Sequence, residues 1–350
     1  MRRFRDATAG RSVDVAPVVL DITEVIDAVL PAMLKSPGPR ALAAIADAVS
    51  TRHGAIGAGD IVRLVCRGPV ASAYDALFDS PLGRVVLDET ARLTALLPTY
   101  DPSRLDAHNT AFSREFFRNY LRQSAIRVLN LAEQLQADGL RDGTILEVGA
   151  LFGQFATALK RLGYDVTIVD RYRSQNGALD GYVRYFKELG IHVVEATRGD
   201  EATLTASLGT FDAVISMAVI EHIPHTPREF LTMLVSHVRP NGLLAVDTPN
   251  IARYWNRKRL SSGLSIHQDL AEQFACEIPY EGHHREYTAA EVVWMLEQVG
   301  CTDVRTRLYD YNLLEFPVLD GEHLDALLTM TVDPTCADQI LAVGRVPQRA

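Results

Sequence analysis

Three stretches of the chain hold residue types at spacings that can do chemistry. The first runs from Thr144 to Asp170. Glu147 lies two residues before Gly149, Gly153 follows four residues later, and Asp170 closes the stretch. Two glycines in a tight turn let a backbone approach a ligand closely, and the helix that follows offers free N–H groups. A carboxylate at the position of Asp170 can take both hydroxyls of a ribose. A dinucleotide fingerprint would need G-x-G-x-x-G with a pyrophosphate on the helix N-terminus. The four-residue glycine spacing and the anionic Glu147 suit a ligand with a cationic amino-acid end instead. The second stretch is Phe211 to His225, where Glu221 and His222 stand side by side. A histidine oriented by a neighbouring acid can take a proton from a hydroxyl, and the same pair can ligate a divalent metal. A third segment, Tyr280 to Thr288, adds His283 and His284.

The elements that must position these residues are legible from apolar patterning. Ile145 to Val148 reads as a buried strand, Gln154 to Leu162 as a helix stopped by Gly163, and Val166 to Val169 as a second strand. This strand, glycine turn, helix and strand form the half-module that holds a nucleoside at the carboxyl edge of a parallel sheet. A polar loop from Arg171 to Gly177, a helix over 182–189 and a strand over 191–196 follow. Phe211 to Ser216 is a fourth strand and Leu243 to Asp247 a fifth, ending in Thr248-Pro249-Asn250. Thr288 with Glu291 forms a capping box for a helix over 289–299. Strands over 302–309 and 339–343 bring the number to seven. Upstream, Thr110 to Leu135 is a long amphipathic helix capped by Asn109 or Thr110, and Phe116, Phe117 and Tyr120 on it can wall a pocket.

Glu147 to Gly153 (E-V-G-A-L-F-G) resembles motif I of class I S-adenosylmethionine methyltransferases, with Leu151 departing from the middle glycine. Ile220 to Pro224 (I-E-H-I-P) resembles the corresponding segment of the ubiquinone-biosynthesis-type O-methyltransferases, with Ala218 where those sequences carry a further acid. Thr248-Pro249-Asn250 followed by G-H-H-R-E-Y-T at 282–288 is similar to a large bacterial methyltransferase subfamily acting on sugars, lipids and secondary metabolites. The resemblance spans roughly residues 110–350. It implies an α/β fold: a Rossmann-like seven-stranded methyltransferase sheet with helices on both faces, plus a helical N-terminal domain. It implies S-adenosyl-L-methionine as cofactor, with Glu147, Gly149 and Gly153 at the methionine end, Asp170 at the ribose and Asp200 at the adenine. Met217 and Ala218 would line the floor near the sulfonium, and Ala150 and Arg171 complete the cofactor-binding set. His222, Glu221 and His284 form the expected catalytic set for O-methylation of a small-molecule hydroxyl, although either His283 or His284 can orient or deprotonate it. No metal is assigned, yet one of these two histidines together with Glu221 and His222 around a metal ion remains open. N- or C-methylation, and a catalytically silent methyltransferase-like binding protein, are the alternatives; a nicotinamide-dependent oxidoreductase is disfavoured by the glycine spacing.

The 350 residues suggest a main domain with a sizeable addition. A disordered arm over 1–17, a helical domain over 18–105 and a methyltransferase domain over 106–350 are expected. Insertions are placed at about 251–287 and 313–334, with 251–265 read as mobile. The N-terminal helices carry no chemistry, since His53 stands alone, and serve substrate shaping or a homodimer. A net charge of −9 argues against a nucleic-acid partner. No apolar run is long enough to span a membrane, and the N-terminus lacks a secretory pattern. The four cysteines show no paired spacing, which fits a reducing cytoplasm.

Overall fold

A computed structural model describes residues 78–104, 113–196, 208–267, 270–276, 280, 282–311, 326, 329–330 and 333–348. The expectations for residues 1–77, for Asp200 and for most of the 313–334 excursion lie outside these residues. The described strands build one seven-stranded sheet in the order β3-β2-β1-β4-β5-β7-β6. They are β1 Thr144–Val148, β2 Asp165–Asp170, β3 His192–Glu195, β4 Phe211–Met217, β5 Val238–Pro249, β6 Thr302–Tyr309 and β7 Gln339–Arg345. β1 to β5 pair in parallel, whereas β7 runs antiparallel to both β5 and β6. The chain winds outward from β1 to β3 and then returns to lay β4 beside β1. That reversal opens a crevice above the carboxyl ends of β1 and β4, where ligands of open α/β sheets bind.

Strands buried on both faces read as continuous apolar runs, and β4 is the clearest case, buried at every position but Asp212. Alternate side chains supply two cores. Ile145, Ala213, Ile215, Ala245 and Leu341 face the first, with Leu121, Ile126, Leu129 and Phe186 packed against them. Leu146, Val214, Leu244, Val246 and Ile340 face the second, with Leu231, Leu234, Val292 and Leu296. The first core takes in helices α1 Pro81–Ala95, α2 Arg114–Ala137, α3 Gln154–Arg161 and α4 Asp180–Glu188. The second takes in α5 Arg228–Ser236 and, further along the chain, the helix over Ala289–Gln298. Each fully buried Leu or Ile contributes about 1.5–3 kcal/mol.

Residues 78–104 share the first core with the sheet. α1 is capped by the Ser80 side chain, which accepts from the Gly83 N–H at 2.9 Å. The Tyr182 hydroxyl donates to the Leu93 carbonyl at 2.9 Å, and the Gln154 amide to the Thr90 hydroxyl at 3.0 Å. α2 starts later than its apolar pattern indicates. Ser113 caps it by accepting from the Phe116 N–H at 3.1 Å, because the last hydroxyl before the helical run is the one that reaches its free N–H groups. Every position of α2 from Gln123 to Ala132 is buried. Arg127 is among them and forms a buried ion pair with Asp247 on β5. Tyr309 and Gln339 donate to the same carboxylate at 2.5 and 2.7 Å. Such a network fixes how α2 lies on the sheet more than it adds stability.

The segment read as a mobile insertion carries helix α6 Tyr254–Ser261, with α7 Leu270–Ala275 beyond it. Asn256 anchors α6 by donating to the Ile251 carbonyl at 2.9 Å, and Arg257 reaches Asp333 at 2.8 Å. α8 Ala289–Gln298 begins with the expected capping box between Thr288 and Glu291. No described helix is long and apolar enough to cross a membrane.

Candidate functional site

The crevice above β1 and β4 is walled by the glycine turn, the tip of β2 and the turn after β4. Gly149 and Gly153 both hold left-handed backbone, with φ of +82° and +64°. Their missing side chains make room for protein neighbours. A Cβ on Gly149 would stand 2.5 Å from a Val219 methyl, and one on Gly153 would stand 2.5 Å from the Phe186 ring. Leu151, the departure from the motif, adopts the left-handed backbone too, at φ +48°. The turn therefore keeps a glycine-like path with a leucine in it, at a strain of about 1–2 kcal/mol. The Leu151 side chain recovers part of that by packing on the first core.

Asp170 clamps this turn. Its Oδ2 accepts from the Leu151 N–H and its Oδ1 from the Arg171 N–H, both at 2.6 Å. Burial raises its carboxyl above the usual range, and these N–H groups work against the shift. A carboxylate has about four acceptor sites, so capacity for hydroxyl donors remains. Glu147 sits deeper and is 1% exposed. Burial pushes its carboxyl up to about 8, opposed by the backbone N–H of Ala156. Neither of its oxygens has a hydrogen-bond partner of ordinary geometry among the described residues, and the buried Tyr172 hydroxyl is likewise unsatisfied. Unpartnered buried groups of this kind cost free energy until a ligand supplies the missing donor. An ammonium group fits that need. Ala150 is buried within the turn, and Arg171 stands at the N-cap position of the short helix that follows β2 without a side-chain capping bond.

On the other side of the crevice, β4 ends at Met217 and the chain turns sharply at Ala218, whose φ is +56°. The Ala218 N–H donates to the Asp247 carbonyl at 2.8 Å. A short 3₁₀ turn, Ile220–His222, then presents Glu221 and His222. Glu221 is wholly buried; its Oε2 accepts from the Thr248 hydroxyl at 3.0 Å, and its Oε1 has no partner among the described residues. Burial pushes this carboxyl up to about 7, with the nearby His283 pulling the other way.

The loop over 282–287 docks onto this turn. The Glu221 carbonyl accepts from the His284 N–H at 2.7 Å and the Arg285 N–H at 3.3 Å. His283 meets His222 edge to face, ring centres 4.8 Å apart. One ligand atom from each of Glu221, His222 and His283 lies within 4.8 Å of the others, a spacing at which the three can gather around a cation or share a proton. His284 stands elsewhere: its ring is exposed, packs on Tyr280 and sets Nε2 3.1 Å from the Tyr280 carbonyl. Of the two adjacent histidines, the structure brings His283 to Glu221 and His222.

Sequence reading missed three supports: Thr248, which holds Glu221, and Glu286 with Arg253, which hold His283. The His283-to-Glu286 spacing of three was visible in the sequence, but the Arg253 contact crosses 33 residues.

Comparison with known proteins matches residues 107–306, more than half of the chain, to a family model described as a methyltransferase domain. A ubiquinone biosynthesis O-methyltransferase of Rickettsia canadensis (strain McKiel) is 27% identical over 181 residues, covering 51% of this chain and 71% of that protein. Its namesake from Rickettsia felis is 34% identical over 106 residues, and this chain spans 41% of that relative's length and matches over 30% of its own. Among solved structures, Haemonchus contortus phosphoethanolamine N-methyltransferase 2 in complex with S-adenosyl-L-methionine aligns at a TM-score of 0.40 and 15% identity, over 62% of this chain and 52% of that one.

Proposed function

The chain belongs to the methyltransferase domain family, and from that premise we propose that it moves the methyl group of S-adenosylmethionine onto a hydroxyl of a small molecule. The single observation that carries the choice of a hydroxyl is the cluster of Glu221, His222 and His283 at the carboxyl edge beside β4. An oxygen acceptor must lose its proton as it attacks, and a basic group within reach contributes roughly 10²–10⁴-fold.

The residues on the other wall fit the cofactor. Glu147 supplies a buried anion for its ammonium, Asp170 offers acceptor sites for its ribose hydroxyls, and Met217 and Ala218 form the floor. When bound, the cofactor would supply an activated methyl group with a neutral thioether as its leaving group. Everything else is positioning. Glu221, buried against Thr248, holds the histidine turn in place, and an imidazole nitrogen of the pair takes the hydroxyl proton.

The test is turnover with S-adenosylmethionine and a panel of phenols, catechols, sugars and matched amines, read as S-adenosylhomocysteine released and as the bond methylated. O-methyl products, with turnover falling at least ~10²-fold in His222→Ala or His283→Ala, support the reading. Methylation of the amines alone would overturn it. Titration with NADH is the matching control for the oxidoreductase class.

A second reading rests on the same three ligand atoms, in which a divalent cation binds the acceptor oxygen instead of a histidine deprotonating it. Dialysis against a chelator followed by return of Mg²⁺, Mn²⁺ or Zn²⁺ separates the two. A homodimer through the N-terminal helices is supported by the apolar periodicity of that region, and light scattering of the purified chain tests it. A cytoplasmic setting is supported by the unpaired cysteine spacing.

A further inference from the structure

Glu286 takes no part in the cluster itself, yet it holds one member of it. His283 Nδ1 lies 3.0 Å from Glu286 Oε1. The other oxygen of Glu286 is occupied by an ion pair with Arg253 and by the Asn256 amide at 3.4 Å. Arg253 also donates to the Asn250 carbonyl at 3.2 Å, which ties this acid to the corner at the end of β5. The backbone on either side is pinned as well. The His284 and Arg285 N–H groups bind the Glu221 carbonyl, and Tyr287 bridges to Asn250. Glu286 is only 12% exposed at its side chain, so this arrangement is shielded from bulk water.

We infer that Glu286 is a positioning residue that keeps the His283 proton on Nδ1 and leaves the ring's lone pair on Nε2. The inference rests on the proposed function for its catalytic consequence, but its chemical content stands apart from turnover. An ionised carboxylate only accepts hydrogen bonds, so the imidazole nitrogen facing it must carry the hydrogen. In a neutral imidazole the other nitrogen then carries a lone pair and is the one able to receive a proton or a cation. The Arg253 guanidinium and the Asn256 amide on its other oxygen favour the ionised carboxylate, so Glu286 faces His283 as an acceptor.

The experiment is NMR on the full chain labelled at histidine, after dialysis against a chelator, with His283 assigned by its loss in His283→Asn. At about pH 8, where a histidine of ordinary pKa is neutral, the ring carbon and nitrogen shifts of His283 should report the Nδ1–H tautomer. Glu286→Ala should shift the signal toward a mixture or the Nε2–H form, whereas Glu286→Gln, whose amide oxygen still accepts, should keep Nδ1–H. In turnover, Glu286→Ala should lower kcat by at least ~10-fold, with KM for S-adenosylmethionine changed by less than ~2-fold, and Glu286→Gln should recover most of the loss. An Nε2–H tautomer in the unaltered protein, or an unchanged one in Glu286→Ala, would overturn the inference. The tautomer as stated with no change in kcat would sustain the positioning of His283 and defeat the role given to it in the proposed function.

Discussion

Binding of S-adenosylmethionine should expel a proton from Glu147. In the free protein this carboxyl is buried with no hydrogen-bond partner of ordinary geometry among the described residues and is pushed up to about 8. At pH 7 about nine-tenths of it is then protonated. An ammonium lodged against it favours the ionised form and returns it toward the ordinary carboxylate range near 4.3. The expected release at pH 7 is therefore about 0.9 proton per site. The ligand's own α-amino group, titrating at about 7.7–8.0, takes up about 0.1 proton, leaving a net release of about 0.8. The same linkage tightens the apparent Kd about eightfold between pH 6 and pH 7, since deprotonating Glu147 costs about 1.4 kcal/mol less per unit and protonating the ligand amine takes back a small part. Calorimetric titration at pH 7 in buffers of differing ionisation enthalpy measures the release as the slope of apparent enthalpy on buffer enthalpy. Glu147→Gln should bring that slope to a small uptake, and 5′-methylthioadenosine, which lacks the amino-acid end, should show no release in the unaltered protein. Binding of S-adenosylmethionine with a slope near zero would refute the placement of the ammonium at Glu147.

The other expectations concern the frame around the site. Gly149→Ala places a methyl 2.5 Å from Val219 on backbone at φ +82°. It should cost at least ~2 kcal/mol in urea unfolding, and Gly149→Ala with Val219→Ala should recover only the steric part. Leu151→Gly removes the strain at φ +48° but also a packed side chain, so a change within about 1 kcal/mol, with cofactor binding kept, is expected from thermal melts. Arg127→Met strands the buried Asp247 carboxylate and should cost about 3–5 kcal/mol in urea unfolding. Glu221 is raised to about 7 in the folded chain, so the folded state holds more protons than the unfolded one between the ordinary carboxylate range and pH 7. Its contribution to stability therefore falls as pH rises through that window, and Glu221→Gln should flatten this part of a stability-against-pH curve.

Much of the frame was already written in local pattern. The apolar runs of β1 and β4, the glycine turn between β1 and α3, Asp170 at the tip of β2 and the capping box at Thr288 depend on residues a few positions apart, and the structure shows them where periodicity and spacing put them. Seven strands were countable in the sequence, but their order, with β7 reversed between β5 and β6, appears only in the folded sheet. α2 starts at Arg114 and not near Thr110 because Ser113, the hydroxyl nearest the helical run, is the one whose side chain reaches the Phe116 N–H.

The candidate site divides the same way. Sequence alone determined that an acid and two glycines face the β1 turn and that Glu221 and His222 adjoin at the end of β4, because backbone connectivity fixes their separation. Only the tertiary structure decided which of His283 and His284 joins them, since adjacent side chains diverge and the loop's docking on the Glu221 carbonyl sets the choice. It alone brought Arg253 to Glu286 and Arg127 to Asp247, contacts across 33 and 120 residues. Such pairs leave no periodic trace in a chain: their partners are selected by which surfaces the sheet and its helices press together, and the burial that makes Glu147 and Glu221 reluctant acids exists only once those surfaces have closed.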